Sequence, residues 1–118
     1  MKESELIELS KKLITICNDA GTQIMSIYSS GQEVEEIKED GSPVTLADMA
    51  SHKVIVDGLS ELKQKFPILS EEDTNSQKKE CSLFWLVDPL DGTKEFINKN
   101  GEFTVNVALI ENGKPIMG

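Results

Sequence analysis

One stretch of this chain leaves it few ways to fold. The apolar run Leu83-Phe84-Trp85-Leu86-Val87 reads as a buried strand, and Asp88-Pro89-Leu90-Asp91-Gly92-Thr93 follows it at once. Proline holds its own φ and biases the residue before it toward an extended shape, so the strand is predicted to end at Val87 and to deliver its aspartates there. Asp88 and Asp91 then converge, and two carboxylates at one strand end make an oxygen-rich pocket suited to a hard cation such as Mg²⁺. Gly92 lets the backbone come close to a bound anion, and Thr93 offers a hydroxyl where a phosphate would lie. The same letters are also ordinary turn chemistry, since Asp, Pro and Gly dominate turns. Leu69-Ser70-Glu71-Glu72-Asp73 adds carboxylates after another short apolar run and tilts the balance toward a metal site.

The rest of the chain reads as the frame for that stretch. Leu6, Leu9, Leu13, Ile16, Cys17, Ala20, Ile24, Ile27 and Tyr28 recur at helical spacing, which predicts one amphipathic helix from about Ser4 to Ser29. Gly21 is its weak point, and Gly31 marks its end. Residues 33–38 read as a short exposed strand and Glu39 to Pro43 as a turn. Thr45 is a good N-cap, with Asp48 where a capping carboxylate would sit. A second helix is predicted from there to about Lys65, burying Ala50, Val54, Ile55, Leu59, Leu62 and Phe66, with Pro67 as its stop. Ile68-Leu69 is a short strand and Glu72 to Glu80 a polar loop. Phe103 to Ile110 is a strand, Asn112-Gly113 a hairpin turn, and Lys114 onward a return strand.

Charge narrows the function classes. A net charge of -9 over 118 residues excludes a simple electrostatic grip on nucleic acid or on an anionic membrane. An acidic protein that handles a phosphorylated molecule needs cations to bridge like charges. Cys17 and Cys81 lack metal-ligand spacing and read as small buried residues in a reducing compartment, with a disulfide between them left open. Met1-Lys2-Glu3-Ser4-Glu5 does not open a signal peptide, and no apolar run is long enough to span a bilayer. The expected location is the cytoplasm, with peripheral contact at the inner membrane left open.

These motifs resemble the inositol monophosphatase superfamily of Mg²⁺-dependent, lithium-sensitive phosphatases. The resemblance rests on Asp88-Pro89-Leu90-Asp91-Gly92-Thr93, on Ser70-Glu71-Glu72, and on Ser42-Pro43-Val44-Thr45-Leu46-Ala47-Asp48. Asp40 to Thr45, Thr93-Lys94-Glu95-Phe96 and Gly101 to Ile110 are most similar to its 3'(2'),5'-bisphosphate nucleotidase branch. The fold it implies is α/β in a layered α+β form: the amino-terminal part of an αβαβα sandwich, with two long helices on a largely antiparallel sheet. Since family members are roughly twice this length or more, residues 1–118 are expected to be the amino-terminal metal- and phosphate-binding part of one such domain, truncated at the carboxyl end.

What the resemblance implies for the site is specific. Glu71, Asp88 and the Leu90 carbonyl would hold one Mg²⁺, and Asp88 and Asp91 a second, with Asp88 bridging; Mn²⁺ would substitute, and Li⁺ would inhibit. Thr93 would donate to Asp48 and accept from the nucleophilic water, which gives Asp48 a catalytic role in place of the purely capping one that the residues alone favour. Glu71 is catalytic as well as a ligand. Glu71, Leu90, Asp91, Gly92 and Thr93 would meet the substrate phosphate. Glu72 and Asp73 read as solvated neighbours, Lys38 as a weak candidate near the phosphate, and His52 as an exposed histidine without a role. The implied reaction is removal of the 3'-phosphate from adenosine 3',5'-bisphosphate, giving AMP and phosphate in sulfur assimilation and nucleotide recycling. The alternatives are an inositol monophosphatase and a non-catalytic metal- or phosphate-binding scaffold. A small phosphorylated nucleotide is the expected partner, with no nucleic acid, no integral membrane segment and a homodimer as the assembly to consider.

Overall fold

A computed structural model describes residues 1–30, 35–37, 43–71, 82–97 and 101–118. Lys38, Glu72, Asp73, Cys81, Gly31 and most of the 39–43 turn and 72–80 loop lie outside these. Helix α1 (Glu3–Ser30) forms where the helical periodicity predicts it, with Glu3 and Glu5 in a first turn whose partial positive charge favours acids. Its inner face buries Leu9, Leu13, Ile16, Ala20 and Ile24, while Ile7, Ile14 and Met25 remain exposed.

The small antiparallel pair β1 (Glu35–Ile37) and β2 (Pro43–Thr45) leads into helix α2 (Leu46–Ser60). Pro43 is tolerated there because it stands at the first residue of its strand. The two helices pack closely at Gly58, where an added Cβ would lie 2.8 Å from Ile16 Cγ1. Helix α2 stops at Ser60, before the expected Lys65. The amides of Glu61 and Leu62 turn back to the carbonyls of Gly58 and Leu59 at 3.2 Å, the tighter spacing that closes a helix end, and Leu62 drops into the core. The Lys65 ammonium donates to the Ser60 carbonyl, one of those left without an intrahelical partner.

The main sheet runs β3 (Ile68–Ser70), β4 (Leu83–Asp91), β5 (Thr104–Glu111), β6 (Lys114–Met117) in spatial as well as chain order. β3 lies parallel to β4, and the other pairs are antiparallel. The Asn112-Gly113 turn has φ of 51° and 81°, the left-handed pair a two-residue hairpin needs. Trp85, Val87, Val107 and Leu109 alternate along β4 and β5 onto one face, and both long helices cover it. A second cluster, Ile24, Ala47, Leu90 and Phe96, lies at the end of β4 that carries the acids. Tyr28, Phe96 and Phe103 join it with ring centroids 5.1 to 5.3 Å apart in tilted and edge-on contact, which makes a rigid floor under the acidic segment.

Candidate active site

The strand was expected to release its aspartates after Val87; instead β4 continues through Asp91 across a bulge. Asp88 pairs with Asn106 and Asp91 with Thr104, so three steps on β4 match two on β5. In an unbroken strand, residues three apart point to opposite faces. Here the extra residue puts Asp88 and Asp91 on one face, because their partners Asn106 and Thr104 are two apart. Pro89 and Leu90 take up the bulge and stay buried; Leu90 anchors in the second core cluster. Asn106, which carried no signal in the sequence, donates from Nδ2 to Asp91 Oδ2 at 3.1 Å and fixes that carboxylate.

Beyond the bulge, Gly92 has φ of +101°, and an added Cβ would meet the Glu102 carbonyl oxygen at 2.7 Å. Only glycine fits there. The short helix α3 (Thr93–Ile97) follows, its first turn closed by the Phe96 amide donating to the Gly92 carbonyl at 2.9 Å. Thr93 Oγ1 lies 2.9 Å from Asp48 Oδ1 and 3.4 Å from the Leu90 carbonyl oxygen. Its one proton goes to the nearer acceptor, which leaves the hydroxyl's lone pairs to accept from a water.

Asp48 also caps α2. Its Oδ2 accepts from the Thr45 amide at 2.9 Å and from Thr45 Oγ1 at 2.7 Å, while the Asp48 amide donates to Thr45 Oγ1 at 3.4 Å. The cap and the Thr93 contact, alternatives in the sequence, are thus both present on different oxygens of one fully buried carboxylate. A carboxylate so placed must be hydrogen-bonded to remain tolerable, and three donors serve it.

One turn further along α2, Ser51 Oγ donates to the Pro89 carbonyl in the bulge at 2.7 Å, and His52 Nδ1 lies 2.8 Å from Ser70 Oγ. His52 is half-buried, where exposure was expected. Ser70 pairs with Val87 in the parallel ladder, and the next amide, that of Glu71, donates to the Val87 carbonyl at 3.0 Å. Glu71 therefore leaves β3 beside the point where Asp88 follows Val87 on β4. Its side chain is exposed.

Glu71, Asp88, Asp91 and the Leu90 carbonyl would together make an all-oxygen donor set, the kind a hard divalent cation takes. They fit in chemistry and in backbone placement. Their side chains are not drawn to one point: among the described residues no three His, Cys, Asp or Glu groups form a metal-holding cluster. Near these acids a cavity of about 540 Å³ runs between α1 and the sheet, with Glu71 and Asp88 beside Leu13, Cys17, Leu86 and Met117 in its lining. Cys17 is a free thiol there, and burial pushes its pKa up. No helix among the described residues is long and apolar enough to cross a membrane.

The sequence profile of the inositol monophosphatase family matches residues 5–118. The chain is 50% identical over 111 residues to the 3'(2'),5'-bisphosphate nucleotidase CysQ of Salmonella typhimurium, covering 92% of this chain and 45% of that protein. Among solved structures, CysQ from Bacteroides thetaiotaomicron superposes with a TM-score of 0.72 at 43% identity, over 92% of this chain and 40% of that one. The extragenic suppressor protein suhB from Bartonella henselae superposes with a TM-score of 0.81 at 27% identity, over 92% and 43% of the two chains. The chain spans less than half the length of each of these relatives.

Proposed function

The chain belongs to the inositol monophosphatase family, and from that premise we propose that it carries the metal- and phosphate-binding part of a phosphomonoesterase that takes the 3'-phosphate from adenosine 3',5'-bisphosphate. The observation that carries this reading is the Thr93–Asp48 contact at 2.9 Å beside a bulge that turns Asp88 and Asp91 to one face. The nucleotide rather than the inositol substrate is favoured by 50% identity to a bisphosphate nucleotidase.

Glu71, Asp88, Asp91 and the Leu90 carbonyl would hold Mg²⁺, with Mn²⁺ able to replace it. A divalent ion bound there supplies charge for the phosphoryl oxygens and a lowered pKa for a water. Thr93 Oγ1, its proton committed to Asp48, accepts a hydrogen bond from the attacking water and aims its oxygen at phosphorus. Asp48 keeps Thr93 in that role because Thr45 locks its other oxygen. Gly92 and Thr93 present backbone N–H groups to the phosphate, and Asn106 keeps Asp91 turned to its face. Water adds to phosphorus and the ester bond to the 3'-oxygen breaks; one of the water's protons ends on that oxygen, which leaves as the ribose hydroxyl, and the other stays on the released phosphate.

The test is phosphate release by the full-length protein from adenosine 3',5'-bisphosphate and from inositol 1-phosphate, with Mg²⁺ and with a chelator. Faster, Mg²⁺-dependent release from the nucleotide is expected. A preference for inositol 1-phosphate would move the assignment to the inositol branch, and metal binding without release would make this a binding module.

A further inference from the structure

The residues on one face of α2 each hold a different segment of the site. Asp48, Ser51 and His52 stand at i, i+3 and i+4, the spacing that stacks side chains along one side of a helix. Asp48 reaches Thr93, Ser51 reaches the Pro89 carbonyl, and His52 reaches Ser70, across 45, 38 and 18 residues of sequence. The first two contacts belong to the water-orienting pair and the bulge. The third falls on the end of β3. Among the described residues that strand has three residues, stands at the end of the sheet order and pairs with β4. Glu71 follows it with an exposed side chain, so packing does not set the position of that carboxylate. Its backbone does, through the Glu71 amide on the Val87 carbonyl and through Ser70, which is 5% exposed and meets His52.

We propose that His52 is a positioning residue: through Nδ1 and Ser70 Oγ it ties the end of β3 to α2 and so holds Glu71 beside Asp88. The inference rests on the reading of Glu71 as a metal ligand, and it deepens that reading by naming what places the ligand. A hydrogen bond between half-buried and buried side chains contributes enough to shift a local equilibrium several-fold, and in a strand of three residues that shift is read directly in local opening. Leucine at position 52 keeps the bulk and drops the bond. Asparagine offers a polar atom near the place of Nδ1 and restores it.

Two readouts on the chain separate the positioning from the metal reading. In metal-free protein, amide exchange at Glu71 measured by NMR should quicken about fivefold in His52→Leu and return close to wild type in His52→Asn. Mn²⁺ affinity, read by electron paramagnetic resonance, should fall about fivefold in His52→Leu and recover in His52→Asn. Ser70→Ala should reproduce the leucine variant from the other side, and serves in its place if circular dichroism shows His52→Leu unfolded. Wild-type exchange and affinity in both His52→Leu and Ser70→Ala would overturn the proposal. So would losses that asparagine does not rescue, which would make His52 a packing residue. If the wild-type chain binds no Mn²⁺, the metal reading fails, and exchange at Glu71 alone decides whether His52 positions it.

Discussion

Asp48 divides one carboxylate between a helix cap and the contact with Thr93, and substitutions can separate the two. Thr93→Val leaves the cap in place but takes the donor from Oδ1, so stability should fall by about 1–3 kcal/mol while turnover of the full-length enzyme falls roughly 100-fold or more. Asp48→Asn replaces an acceptor of Thr45 or of Thr93 with a donor and should cost about 1–2 kcal/mol in addition. Urea unfolding beside initial rates checks both; a Thr93→Val enzyme that keeps its rate would end the water-orienting role. The spacing of Thr45 and Asp48 made the cap legible in the sequence, and the family motif made the Thr93 contact legible. Ser51, His52 and Asn106 were not, since each acts on a partner 15 or more residues away and leaves no local pattern. Cys17 gives a pH prediction. Burial raises its pKa above the ordinary 9.0, so the folded state favours the neutral thiol. Its stabilising share is complete below pH 9.0 and is lost as pH rises through the raised value. In a Cys81→Ala background, iodoacetamide should therefore modify the folded chain more slowly than the urea-unfolded chain at pH 8.5, and equal rates would contradict the burial.

At the scale of elements, the two glycines inside the long helices should respond with opposite sign. A Cβ on Gly21 meets nothing within 4 Å, so Gly21→Ala should stabilise by about 0.5–1 kcal/mol through helix propensity alone. A Cβ on Gly58 would stand 2.8 Å from the branched part of Ile16, so Gly58→Ala should destabilise despite the same propensity gain. Denaturant midpoints decide it, and a stabilised Gly58→Ala would mean the two helices pack more loosely than this. Helix α1 was legible because nine apolar residues repeat at helical spacing over its length. The ends of α2 and β4 were not. Pro67 looked like the stop for α2, but the helix closes on its own carbonyls at Gly58 and Leu59 well before it. Pro89 looked like the end of the strand, yet a bulge absorbs it and lets pairing resume at Asp91. That bulge is a tertiary fact: it exists in the register with β5, which pattern along one strand does not carry.

At the scale of the whole molecule, the question is whether cation binding comes from a built site or from overall charge. A net charge of -9 attracts divalent ions to any part of the surface, weakly and in a salt-sensitive way. A site differs in that it depends on particular oxygens. A hard cation takes about six of them, and the proposed donors are three carboxylates and one carbonyl that are not drawn to one point. Mg²⁺ should therefore bind this chain weakly, with water completing the shell. The comparison that decides between site and charge is Asp88→Asn against Asp57→Asn, two substitutions that each remove one negative charge. Asp57 is exposed on α2 and engages only Lys53 at 2.9 Å among the described salt bridges, whereas Asp88 faces the same side as Asp91 and neighbours Glu71. Calorimetric titration at 0.15 M salt should show Asp88→Asn losing most of the measurable Mg²⁺ binding and Asp57→Asn losing little, since screening at that ionic strength confines surface charge to about 8 Å. Equal losses would mean that the ion answers to the charge of the whole chain, and that the bulge in β4 shapes a turn and not a metal site.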